Sequence, residues 1–171
     1  LVKEDPSAKL RTDADTGQIL LSGMGELHLE ILVDRLFREH KVQANVGKPQ
    51  VSYRETINKP ASAIFTFDRM IAGENQNITI KVSVAPSKKG SGNEFKTLLV
   101  PGKIPGLSGE VIRAALAGIK EAGDVGPVAG YSMMDYSSTI DSITFPPDML
   151  PIEAGAKAAA SLALREALKN A

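Results

Sequence analysis

The sequence predicts an α+β fold divided into a smaller first part and a larger second part. Three observations predict it. Ile78, Ile80, Val82 and Val84 alternate strictly with polar residues, the period of a half-buried strand. Leu29, Leu32, Val33 and Leu36 recur at i, i+3, i+4 and i+7, the period of a helix with one apolar stripe. Residues 152–168 read as a helix of a different kind. There Ala156, Ala159, Ala160 and Ala163 accompany Leu164 and Leu168, small side chains suited to close packing on another element.

In chain order, residues 1–5 read as the end of a helix. Because position 1 is Leu rather than Met, the chain is expected to be an excised piece. Thr16-Gly17 is a turn signal before a short apolar strand at 18–22. Gly23-Met24-Gly25 then leads into a helix over 26–40. It carries Glu26 and Glu30 in its first turns and Arg35, Arg38 and Lys41 near its end, as the helix dipole favours. Val42, Ala44 and Val46 alternate, and so do Val51, Tyr53, Glu55 and Ile57, which predicts two strands joined across Gly47-Lys48-Pro49. Strand, helix, strand, strand is what remains of a split βαβ sandwich without its opening strand and most of its first helix. Residues 1–57 are therefore expected to form an incomplete, marginally stable unit.

Asn58-Lys59-Pro60 reads as a hinge, since proline cannot donate to a ladder and pushes its predecessor away from helix. Residues 58–171 are expected to form the second domain. A strand at 64–67 and the strand at 78–84 flank a loop centred on Gly73-Glu74-Asn75-Gln76-Asn77. Residues 86–92 (PSKKGSG) read as a solvated loop, in which Lys88 and Lys89 are a solvated pair able to touch a phosphate. A strand through 98–100 follows. Ser108 is placed to cap a helix carrying Ile112, Ala115, Leu116 and Ile119, with Gly123 placed to end it. Residues 131–143 read as one long strand stopped by Pro146-Pro147, and the alanine-rich helix completes a sheet covered on one side by two helices.

Composition narrows the chemistry. Lys plus Arg equals Asp plus Glu at 20 each over 171 residues, so contact with RNA must be local or depend on shape. There is no cysteine, which excludes disulfides and thiolate metal sites and fits a cytoplasmic location. No apolar run approaches the roughly 20 residues of a membrane span, so no membrane partner is expected. Gly23-Met24-Gly25 before a helix reads first as a tight turn and second as an anion site, but position 28 is His and no GK[ST] follows anywhere. Residues 101–109 (PGKIPGLSG) faintly resemble the phosphate loop of small-molecule kinases, with an incomplete glycine-serine cluster. His28 and His40 stand about three helical turns apart and make neither a metal site nor a triad. No catalytic or metal-binding set emerges.

Residues 23–31 (GMGELHLEI), continued by Val33-Asp34-Arg35, and residues 46–57 (VGKPQVSYRETI) resemble the third domain of elongation factor G. Residues 90–95 (GSGNEF), Ile104-Pro105-Gly106, Ala129-Gly130-Tyr131 and residues 158–166 (AAASLALRE) resemble its fourth domain. The resemblance spans nearly the whole chain. It implies a partial ferredoxin-like unit over 1–57, then a domain like the second domain of ribosomal protein S5 over 58–171. It also implies a monomeric, cytoplasmic protein whose partners are its own remaining domains and the ribosome, with rRNA, tRNA and mRNA at the decoding site. GTP and Mg²⁺ are implied for the full-length protein and no cofactor for these residues.

His28, Leu32 and Arg35 share one helix flank, and the resemblance makes them a seam with the GTPase domain. Two loops of the fourth domain are implied to reach the decoding site. The first is residues 68–77 (DRMIAGENQN), with Arg69, Asn75, Gln76 and Asn77. The second is residues 145–155 (FPPDMLPIEAG), with Pro146, Pro147 and Asp148. Both depart from the family pattern: the first is acidic where the family is basic and glycine-rich, and the second lacks the family's histidine. The expected function is GTP-dependent translocation of tRNA and mRNA. A ribosome-recycling or otherwise specialised paralogue is the first alternative, and a small-molecule kinase-like domain the second.

Overall fold

The computed structural model describes residues 4–13, 17–51 and 53–171. The chain forms two compact units, Leu1–Ser52 and Tyr53–Ala171. The strand Arg54–Glu55, expected to close the first unit, is packed with the second. The partition therefore falls before Tyr53 rather than at the proposed 57/58 hinge.

In the first unit, β1 (Lys9–Thr12) pairs antiparallel with β2 (Ile19–Ser22), followed by α1 (Glu26–His40). The hairpin closes through Asp13 N–H to the Gln18 carbonyl at 2.8 Å and Gly17 N–H to the Asp13 carbonyl at 3.0 Å. The Thr16 half of the expected turn lies outside the described residues, as do Leu1 to Lys3, while Asp5 belongs to no helix. The expected helix 26–40 is present with those bounds. The expected strand at 42–46 is absent, and residues 41–50 are exposed without regular structure. An alternating segment needs a neighbouring strand to satisfy its backbone, and the described residues offer this one none.

In the second unit, β4 (Ala61–Ile71) and β5 (Glu74–Pro86) form a continuous antiparallel hairpin, in register from Ala61 opposite Val84 to Ile71 opposite Glu74. Its turn is Ala72-Gly73 alone, with φ of 51° and 86°. Two positive φ values match the twist of the flanking strands, as in a type I′ turn. β6 (Glu94–Thr97) leads through α2 (Gly109–Ala122) to β8 (Tyr136–Thr144), which it joins in parallel, and β8 lies antiparallel to β5. The sheet order is β4-β5-β8-β6, and a separate parallel pair joins β3 (Arg54–Glu55) to β7 (Ser132–Met133).

The expected single strand over 131–143 is thus two strands broken at Met134-Asp135. Asp135 has φ of 59°, and its carboxylate accepts the N–H of Gly90 at 3.0 Å and of Gly92 at 2.9 Å. The break is where the 86–92 loop is fastened. Those two backbone donors outweigh partial burial and hold the Asp135 carboxyl below its ordinary range.

α2 and α3 (Glu153–Lys169) cover one face of the four-stranded sheet. Ser108 Oγ accepts the Val111 N–H at 3.2 Å, the expected cap. Ile78, Ile80, Val82 and Val84 from β5 meet Ala115 and Ile119 of α2 and Ala156, Ala159, Ala160, Ala163 and Leu164 of α3 in one core. The alanines let the helices approach closely. At their crossing Gly118 lies against the Lys157 carbonyl, where a Cβ would overlap, and Ser161 Oγ donates to the Gly118 carbonyl at 2.9 Å. Gly123 ends α2, but with φ of −79° it is not the left-handed cap its identity suggests. Glycine is needed there for room: a Cβ would overlap the Tyr136 hydroxyl, which donates to the Gly123 carbonyl at 3.0 Å.

Candidate functional site

One end of the second unit gathers both segments expected to form the tip. The hairpin turn at Ala72-Gly73 lies at the end of β5 where Thr79 pairs with Thr144, and residues 145–152 leave β8 there. Gln76 binds the two together. Its Nε2 donates to the Leu150 carbonyl at 3.3 Å, and its Oε1 accepts the Ile152 N–H at 2.9 Å. Asn77 N–H points at Met149 Sδ, 3.1 Å away. Gln76 is wholly buried, because it continues the helix-facing row of Ile78, Ile80 and Val82.

Two expectations are corrected here. Residues 68–77 are not a loop: all but Ala72-Gly73 belong to paired strands. Gln76 is not a tip residue for a partner, since both ends of its amide are engaged inside the fold. Arg69, Asn75, Pro147 and Asp148 remain exposed, while Asn77 and Pro146 are half-buried.

A third segment, not foreseen in the sequence, joins this end. Gly106, with φ of 81°, packs its backbone on Leu150 and Phe145, so the loop bearing exposed Lys103 stands beside residues 145–150. Ile104-Pro105-Gly106 was readable as a turn, but nothing in it signals what it touches. The composite end presents the cations Arg69 and Lys103 among Asp68, Glu74, Asp148 and Glu153, together with Met70 at 71% and Leu150 at 68% exposure. Such a surface meets a partner through apolar contact and backbone groups more than through cation–phosphate pairing.

At the opposite end the structure finds an organising residue that sequence reading passed over. The Glu55 carboxylate accepts the N–H groups of Val128 at 3.0 Å, Ala129 at 2.9 Å and Tyr131 at 3.0 Å. Desolvation pushes this carboxyl up, but the backbone donors of residues 128–131 together outweigh it and hold it below its ordinary value. Gly126 is required because a Cβ there would overlap the carboxylate. Two of the short segments quoted above, one containing Glu55 and one being Ala129-Gly130-Tyr131, are thus halves of one contact.

In the first unit, His28, Leu32 and Arg35 do not form a common surface. Leu32 is 1% exposed and is the buried residue of α1, so it belongs to the unit's interior. His28 Nδ1 accepts the Met24 N–H at 3.1 Å, which leaves Nε2 to donate to Asp5 at 2.7 Å. Asp5 is held at about 2 by hydrogen bonds from Ser7 first and His28 second. Arg35 bonds Glu4 at 2.9 Å and Glu39 at 3.1 Å. The exposed apolar side of α1 is elsewhere, with Leu27 at 70% and Ile31 at 51%, and Met24 at 81% in the turn that precedes the helix.

The 23–25 turn, the anion site the sequence offered before α1, is not open to a phosphate. The 23–25 turn gives a backbone donor to His28, and a Cβ at Gly23 would stand 2.8 Å from that ring, so the turn is filled from within. Among the described residues no three His, Asp or Glu side chains gather to hold a metal. No helix among them is long and apolar enough to cross a membrane.

A family model described as elongation factor G, domain III, matches residues 1–48, and one described as elongation factor G, domain IV, matches residues 49–171. Elongation factor G 1 of Bdellovibrio bacteriovorus is 52% identical over 171 residues. That alignment takes in the whole chain but 24% of the relative's length. A crystal structure of a protein from Thermus thermophilus superimposes with a TM-score of 0.62 at 30% identity, covering 99% of this chain and 24% of that one.

Proposed function

This chain belongs to the elongation factor G family, and from that premise we propose that it forms the third- and fourth-domain part of a longer, cytoplasmic translational GTPase that promotes movement of tRNA and mRNA on the ribosome. GTP and Mg²⁺ are held by parts of the protein beyond these residues. The first unit relays nucleotide state, with Arg35 as its most accessible seam residue among the three expected, and the second unit is a lever. The observation that carries the reading is the cross-tied end, where Gln76 fixes the hairpin to residues 145–152 and leaves Arg69, Asn75, Pro147 and Asp148 outward. At about 3.3 Å per residue, the 13 residues of β5 give the lever a rigid span of about 40 Å.

The acidic, apolar character of that end favours a second reading, a paralogue specialised for recycling. One assay separates them. With the full-length factor, GTP and reconstituted ribosomes, tRNA movement is followed alongside subunit splitting. Replacing only residues 69–75 with a basic glycine-rich hairpin, so that Gln76 is kept, should change the rate of movement while ribosome-stimulated GTP turnover is unaltered. Splitting without movement would select the recycling reading, and no ribosome-dependent GTP turnover would overturn both.

A further inference from the structure

Residues 124–134 form a second outward feature that the lever does not use. Val125 bridges Ser132, and Gly126 N–H donates to the Tyr131 carbonyl at 2.8 Å, closing a narrow excursion whose outer turn is residues 127–130. Its outer backbone donors are occupied by Glu55, and Met134 N–H donates to the Glu55 carbonyl at 2.8 Å. The loop is held from inside, so its side chains are displayed in a fixed geometry. They are apolar: Val128 is 90% exposed, Val125 55%, Tyr131 44% and Met134 37%. Tyr53, 60% exposed, adds its ring 5.3 Å from that of Tyr131. Asp124 is the one charged residue among residues 124–134. Scattered exposed apolar residues are ordinary, but five together on a rigid protrusion with one charge mark a contact surface.

We propose that this loop is an intramolecular docking knob, seated in an apolar face of a further domain of the same polypeptide outside these 171 residues. Its place in the fold selects that occupant. It lies beyond Tyr136, which pairs with Pro86 at the end of the sheet remote from the hairpin turn. Tyr53, where the chain enters this unit, is at the same end. So is the C-terminal end of α3, whose 17 residues carry the chain about 25 Å from Ile152 at the tip. Chain continuing past the C-terminal end of α3 would therefore emerge beside the knob, and the Bdellovibrio relative, of which this chain spans 24%, is long enough to supply a further domain there. Residues 124–134 themselves carry no cation, which argues against a phosphate-bearing partner. The proposal rests on the longer-polypeptide part of the function above and not on ribosome engagement.

Photocrosslinking of the full-length protein without ribosomes tests it. Val128→p-benzoylphenylalanine places the probe on a side chain the fold does not need, and Met70→p-benzoylphenylalanine serves as the control at the remote end. The expected result is an intramolecular adduct from position 128 to residues beyond these 171, at several times the yield from position 70. Adducts confined to these 171 residues, adducts to a second copy, or equal yields from both positions would overturn the proposal. Failure of the ribosome assay would leave this result unaffected.

Discussion

The carboxylate of Glu55 accepts the Ala129 N–H at 2.9 Å across 74 residues of chain. That contact makes the first strand of the second unit part of its rigid body. It also explains why the unit begins at Tyr53 although the nearest hinge-like sequence is Asn58-Lys59-Pro60.

A carboxyl held below its ordinary value contributes stability above its unfolded pKa, and the contribution is lost as pH falls through the folded value. For Glu55 the unfolded value is near 4.5. Glu55→Gln should therefore lower the melting temperature at pH 7, and the gap from the unaltered protein should narrow below pH 4.5. Thermal melts at the two ends of that range decide it. An equal gap at both would assign the loss to packing rather than to charge.

Gly118→Ala ought to stabilise an ordinary helix by about 1 kcal/mol. Here the added methyl meets the Lys157 carbonyl, so the helices must part, and a net loss of about 1–3 kcal/mol is expected in urea denaturation. A gain would mean that the crossing has slack.

Leu32→Ala removes the central side chain of the first unit, a change that commonly costs about 2–5 kcal/mol. Hydrogen exchange should show α1 losing protection while Ile78–Val84 keeps its own. Leu27→Ala, at 70% exposure, should leave both near their starting values. Matching effects at the two leucines would put Leu32 back on a surface.

Gln76→Leu leaves the Leu150 carbonyl and Ile152 N–H without their partner. The expected cost is about 1–3 kcal/mol, with faster exchange at residues 149–152. Asn75→Ala, one residue away on the outer face, should stay within about 0.5 kcal/mol. Unchanged exchange at 149–152 in the leucine variant would show that the cross-tie is dispensable.

Burial period made much of this legible. The rows 78–84 and 156–164 appear in the core as expected, because periodicity records which face is covered. The period also continued to Gln76, two residues before Ile78, but a polar residue beside Gly73 reads as loop. Ala72 concealed the hairpin turn, since alanine rarely takes φ of 51°. Residues 42–46 carry a strand pattern without a strand, because pattern states readiness to pair and cannot supply the neighbour. β1 was missed for the converse reason. Its sequence KLRT is exposed throughout and is held by ladder hydrogen bonds to β2, which leave no apolar signature. In sequence Glu55 stands only as a member of an alternating strand row and of a motif, and the backbone donors it binds have no signature in sequence at all.

The Gln76 tie also bears on how such a protein can diversify. Outward of it, from Arg69 through Asn75, only Ile71 packs against the core, and the other side chains around the two-residue turn are exposed. Lineages are thus free to lengthen, recharge or replace that stretch as a cartridge, while position 76 sets the depth at which innovation must stop.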